Sequence, residues 1–196
     1  MLLQLFQEAI LHSNEDEKPR LINKRFQSIN GYVEVTGPDV FKKTPSALLE
    51  IFLILAKNPE YKGVRASTIR LIRDHRYLID DNFRNDMRCR GLFMKFFRQS
   101  QGITDELRRM NRYGILAEYL PVFRNIVGQM QHDLFHHYTV DEHTIFVIRN
   151  LRRFTVPEFF HEFPMASNII QRIPKLEILY IAGFFHDIAK GRGGNH

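Results

Sequence analysis

A mainly α-helical fold with one small β-hairpin is what the sequence predicts, on three observations. Apolar residues recur at three- and four-residue spacing through most of the 196 residues. Proline, glycine and asparagine interrupt these runs where helices would end. Only one segment, FQSINGYVEVTG from Phe26 to Gly37, sets β-favouring residues on both sides of an Asn30-Gly31 turn.

Each element follows from local chemistry. Leu2, Leu5, Phe6, Ala9 and Ile10 share a helical face that the charged stretch SNEDEKP ends. After the hairpin, Thr44 is placed to cap a helix with Pro45 at its first position, running on until Asn58 and Pro59 stop it. Further helices are expected over about residues 67–76, 82–99 and 104–113, and over 116–127 with a break at Pro121. Thr139 with Glu142 forms a capping box, so a helix should start there and place Val140, His143, Val147 and Leu151 on one face. His143 is thereby drawn among core residues. A short helix between Pro164 and Pro174 leads into LEILYIAGFFHDIAK, Leu176–Lys190. Its uncharged run from Ile178 to Phe185 predicts a helix buried on most of its circumference.

Composition narrows the function classes. Lys and Arg number 28 against 22 Asp and Glu, giving a net charge of +6. That suits a phosphate-bearing partner or substrate, but charge alone does not argue for nucleic acid, and no nucleic-acid partner is expected. Cys89 is the single cysteine, so no internal disulfide can form and a reducing cytoplasm is the expected location. The opening MLLQLFQEAILHS lacks the positive start of a signal peptide, and the apolar runs are too short to span a bilayer, so no membrane role is expected. The glycine-rich KGRGGNH straight after a strong helix predicts that the sequence belongs to a longer protein.

The candidate site comes from two histidines. A lone histidine on an apolar face is ordinarily a satisfied core residue. Here two predicted helices each deliver one, and the second adds the adjacent Asp187. Imidazole and carboxylate taken out of water together need pairing or a metal, and this donor set suits Mn or Mg, with Fe or Zn as further options. A divalent ion so held lowers the pKa of its water and polarises a phosphoryl oxygen.

His143 followed by His186-Asp187-Ile188-Ala189-Lys190 resembles the HD superfamily of metal-dependent phosphohydrolases. The longer text is more specific: RFQSINGYVEV, TPSALLEIF, GVRASTIRLIRDHRYLIDD, RRMNRYGIL, GQMQHDLFHHYTVDEHT and FFHDIAKGRGG resemble the bacterial PII uridylyltransferase/uridylyl-removing enzymes from about Arg20 to the last residue. The resemblance implies a helical connector over residues 1–128 and the first, incomplete part of an all-helical HD domain over 129–196. It implies His143, His186 and Asp187 as metal ligands, and His196 as a further candidate ligand, although Asn195 stands where the family has aspartate. A later aspartate ligand has no counterpart. Lys190 matches a basic residue able to offset substrate phosphate charge.

The resemblance further implies a bifunctional enzyme that attaches UMP to the PII signalling protein and removes it, using UTP and responding to glutamine, with removal assigned to the HD domain. No Gly-Ser with a following Asp-x-Asp is present, so the transfer centre is expected elsewhere. Asp80-Asp81 reads instead as a cap or solvated pair. Two alternatives stand beside this: an HD hydrolase of a small nucleotide, and a non-catalytic helical scaffold relaying the glutamine signal. His132, His136 and His137 read as a solvated or pocket-edge cluster, and Arg149, Arg152 and Arg153 as a solvated face. Arg65, Arg70, Arg73 and Arg76, with exposed Phe93, Phe96 and Phe97, are expected to form domain-packing surface.

Overall fold

The computed structural model describes residues 18–130 and 138–192. The predicted helix over Leu2–Leu11, the cluster His132, His136 and His137, and His196 lie outside the described residues.

The hairpin forms where Asn-Gly requires it. Strands β2 (Phe26–Ile29) and β3 (Tyr32–Val35) pair antiparallel, Phe26 opposite Val35 and Ile29 opposite Tyr32, with β1 (Arg20–Leu21) running before them. Asn30 and Gly31 take φ of 52° and 81°, the left-handed pair of a two-residue turn matched to strand twist. β1 pairs antiparallel with β2, and β4 (Gly63–Val64) pairs parallel with β3, making a four-stranded sheet ordered β1-β2-β3-β4. Strands of two residues carry too little alternation to be read from sequence. Arg25 locks the sheet to the helices, its Nε and Nη2 each donating to Glu50 at 2.7 Å.

The helices are α1 (Val40–Lys43), α2 (Ala47–Lys57), α3 (Ala66–Asp74), α4 (Asp81–Asn85), α5 (Met87–Phe97), α6 (Ile103–Arg112), α7 (Ile115–Tyr119), α8 (Pro121–Arg124), α9 (Val140–Arg153), α10 (Pro164–Ile170) and α11 (Leu176–Phe185). The mainly α expectation is borne out, and the break at Pro121 falls between α7 and α8. Two boundaries differ for identifiable reasons. Thr44 donates its N–H to Val40 at 2.9 Å and so closes α1, leaving Ser46 at the start of α2. The single helix expected over 82–99 is split at Asp86, whose extended backbone lets its carboxylate accept from the Arg88 N–H at 2.8 Å and cap α5. Asp80 likewise caps α4 through the Phe83 N–H, and Asp81 pairs with Arg84.

α2 is the centre of the core. All its residues from Ala47 to Ala56 except Glu50 are buried, between α5 and α6. α6 also packs on α9, α9 on α11, and α11 on α5. Phe96 and Phe97 are therefore buried rather than exposed, because α5 is enclosed by α2 and α11. Phe93 packs edge-on against Phe97 and beside Tyr119. Of the arginines expected on a domain-packing surface, Arg70 is exposed and the others are partly covered. Arg65 pairs with Glu34 at 3.2 Å, and Arg76 donates to the Arg73 carbonyl. No helix among the described residues is long and apolar enough to cross a membrane.

Two internal features carry a stability consequence. Gly102 enters α6 at φ +75°, where a Cβ would lie 2.7 Å from the Ala56 Cα. Glu106, 2% exposed, pairs one oxygen with Arg109 while Oε2 is buried without a hydrogen-bond partner. Burial pushes its carboxyl up to about 7 despite the Arg109 charge.

Gly102→Ala is expected to cost about 2 kcal/mol or more in denaturant unfolding, from left-handed backbone strain plus the backbone clash. Gly91→Ala, in open space within α5, is expected to gain about 0.5–1 kcal/mol. Because Glu106 holds its proton more tightly when folded than when unfolded, its burial is tolerated below about pH 4.5 and becomes fully costly above about pH 7. Urea midpoints measured from pH 5 to 8 should therefore fall in the wild type more steeply than in Glu106→Gln, and parallel curves would refute the assignment.

Candidate metal centre

Two helix ends build the centre. His143 sits in the first turn of α9, its N–H donating to the Thr139 carbonyl at 2.8 Å. His186 and Asp187 follow directly on α11, and the chain then turns tightly through Ile188–Arg192. His143 Nε2 lies 3.6 Å and His186 Nε2 3.3 Å from Asp187 Oδ2. Among the described residues, these three offer one ligand atom each within 4.8 Å of one another.

The orientation of His186 is set locally. Its Nδ1 lies 2.7 Å from the Gly183 carbonyl, which can only accept, so Nδ1 carries a proton and Nε2 is the nitrogen turned toward Asp187. This is the arrangement in which an imidazole ligates a cation through one nitrogen while a carbonyl fixes the other. Lys190 Nζ donates to Asp187 Oδ2 at 2.8 Å. Burial alone would push the Asp187 carboxyl up, but the Lys190 hydrogen bond and the neighbouring His186, Lys190 and His143 charges together hold it below the usual carboxylate range. It is a ready anion. Two nitrogen donors and one ionised oxygen donor, already converging, fit a divalent first-row ion or magnesium.

Close helix approach makes the convergence. Gly183 faces α9, and a Cβ there would lie 2.8 Å from Leu151 Cδ1 and 3.4 Å from Val147 Cγ1. Beneath it, Phe184 is fully buried, stacked on Phe123 at 5.1 Å and edge-on to Phe97 at 5.9 Å.

Several sequence expectations change here. α11 is buried at Tyr180 and Phe184 only, with Ile178 59% exposed, because it packs on α9 and α5 and leaves its remaining face open. The two histidines are correspondingly half-open, their side chains 25% and 37% exposed. The buried stripe of α9 is Val140, Asp141, Thr144, Ile145 and Ile148, and His143 lies beside it rather than in it. The helix begins at Val140 as the capping box predicts, yet Thr139 makes no side-chain cap bond, and Glu142 stands 3.9 Å from Arg108. Asp141 instead ties this end down, accepting from Asn111 Nδ2 at 2.7 Å and the Gly128 N–H at 3.1 Å. Sequence reading passed over Asp141 and Gln129, whose Nε2 donates to the Lys190 carbonyl. An acidic residue in a first helical turn was the one signal available for Asp141, and Gln129 gave none. Arg149, Arg152 and Arg153 each lie over a ring of the same chain, Phe146, Tyr180 and Phe159 respectively, and Arg149 is exposed. Cys89 is buried, and that burial pushes its thiol up to about 11, disfavouring the thiolate.

The family model described as the third domain of the uridylyltransferase GlnD matches residues 26–119. Over all 196 residues the chain is 66% identical to a bifunctional uridylyltransferase/uridylyl-removing enzyme of Nitrosococcus oceani. It is 58% identical to the enzyme of that name in Pseudomonas aeruginosa and 57% to that in Azotobacter vinelandii. In each case it spans 22% of the relative's length. No solved structure matches the chain.

Substitutions at Gly183 test the helix approach. Gly183→Ala should stay within about 1 kcal/mol of wild type, since helix propensity gains what a small shift of the Leu151 methyl costs. Gly183→Ile should lose about 2–3 kcal/mol in thermal denaturation by prising α11 from α9; equal stability of the two would refute the close contact.

Proposed function

The chain belongs to the bifunctional uridylyltransferase/uridylyl-removing enzyme family, and on that premise we propose that it carries the metal-dependent phosphodiester hydrolysis that removes uridylyl groups. The observation that carries the reading is the convergence of His143, His186 and Asp187, with ligand atoms within 4.8 Å. The proposed substrate is the PII signalling protein modified with UMP on a tyrosine oxygen. The proposed setting is a cytoplasmic enzyme that also uses UTP and senses glutamine through other parts of a longer protein.

His143 and His186 would hold a manganese or magnesium ion through Nε2, and Asp187 through its carboxylate. When bound, that ion would supply Lewis-acid activation of the phosphoryl group and of water. The protein's own residues do the rest. The Gly183 carbonyl holds a proton of His186 on Nδ1 and so fixes the ring with Nε2 toward Asp187. Asp187 enters ionised, because Lys190 and both imidazoles offset the cost of its partial burial. Lys190, its ammonium 2.8 Å from Asp187 Oδ2, is assigned to the phosphoryl oxygens, where its charge offsets negative charge that grows as the bond to the tyrosine oxygen breaks. The open faces of the histidines suit a protein-borne substrate, which must present a tyrosine at the surface.

The experiment exchanges this segment into the Nitrosococcus oceani relative and follows UMP release from uridylylated PII with manganese present. His186→Ala should cut release at least 100-fold and Lys190→Met about 10-fold, leaving uridylyl transfer intact. Undiminished release in His186→Ala would remove the centre from the hydrolysis. Release from free uridine nucleotides alone would point to a small-molecule hydrolase instead.

A further inference from the structure

Resting on the reading of His143, His186 and Asp187 as a metal centre, we infer that Gln129 is a positioning residue that sets the distance between its two halves. His143 rides on the start of α9, while Asp187 and Lys190 ride on the turn after α11; the α9–α11 contact at Gly183 brings these ends close, and a further contact beyond the helix ends braces one against the other.

The segment Asn125–Gln129, directly after α8, touches both. On the α9 side, the Gln129 carbonyl accepts from the Val140 N–H at 2.9 Å, and the Gly128 N–H donates to Asp141, two residues before His143. On the other side, Gln129 Nε2 donates to the Lys190 carbonyl at 3.1 Å. The contact is tight on that side. A Cβ on Gly191 would lie 2.6 Å from Asn125 Cβ and 3.1 Å from Ile126 Cγ2. Gly128, at φ +70°, lets the chain bend so that consecutive residues serve opposite sides. The strut is itself anchored, since Asp141 also accepts from Asn111 on α6.

Gln129 thus makes the one side-chain hydrogen bond described between this strut and the Asp187–Lys190 turn. Lys190 is the residue whose ammonium touches Asp187 Oδ2. Loss of the Gln129 amide frees the Lys190 carbonyl and lets the turn drift, which spreads the donor atoms without removing any. Residues outside the ligand set that fix ligand orientation change metal affinity about 10–100-fold when lost.

The test is Mn(II) binding to the 196-residue chain, followed by the electron paramagnetic resonance of free Mn(II), alongside the melting temperature without metal. Gln129→Met keeps side-chain volume but cannot donate, and Gly191→Ala pushes the same contact from the opposite side. Both should bind Mn(II) about 10-fold more weakly, with melting within about 4 °C of wild type. Gly102→Ala, remote from the centre, should lower the melting temperature and leave Mn(II) affinity unchanged. Wild-type affinity in Gln129→Met would overturn the positioning role, as would an equal affinity loss in Gly102→Ala, which would make the effect general loosening. Wild-type affinity in His186→Ala, or no Mn(II) uptake by wild type, would overturn the metal centre itself and this role with it.

Discussion

Burial of Phe184 is the contact on which the arrangement of this protein depends. The ring stacks on Phe123 from α8 and meets Phe97 from α5 edge-on, so one side chain of α11 is gripped by two helices from the earlier part of the chain. Full burial of a phenylalanine contributes roughly 1.5–3 kcal/mol, and aromatic geometry adds to it. His186 and Asp187 come two and three residues later. Where that ring is held, they are held.

A second constraint acts across the helix pair. Glycine in the middle of a helix costs about 1 kcal/mol relative to alanine, and Gly183 stands in α11 where it closely approaches Val147 and Leu151. The cost is offset by closeness, because two helices that meet on a glycine bring their flanking polar residues within reach of each other. Asp187 then becomes the electrostatic centre of the group. It sits close to two imidazoles and an ammonium, and their charges outweigh the burial that would otherwise protonate it. The same physics runs the other way at Glu106, where one arginine does not overcome burial and the carboxyl rises to about 7. Partner number and exposure, rather than residue type, separate the two carboxyls.

Much of the fold was legible because it rests on local rules. Asn30-Gly31 demanded a tight hairpin, Pro121 demanded a helix break, and the start of α9 after Thr139 followed from its polar opening. Where local rules offered two outcomes, sequence reading chose wrongly. Thr44 closes α1 where it was expected to open α2, and Asp86, a good cap and a poor interior residue, divides the helix expected over 82–99. Phe96 and Phe97, expected on a surface that packs against another domain, are covered instead by α2 and α11, remote along the chain.

The sequence by itself determined the helical class, the hairpin, and the donor types at His143, His186, Asp187 and Lys190, because these are properties of side chains and of neighbours within a few positions. Tertiary structure alone decided that these donors meet, that α11 keeps an open face, and that Gln129 and Asp141 brace the two halves. Periodicity reports which way a side chain points around its own helix axis. It carries no information on what lies opposite, and distances between segments are set by packing of residues far apart in the chain.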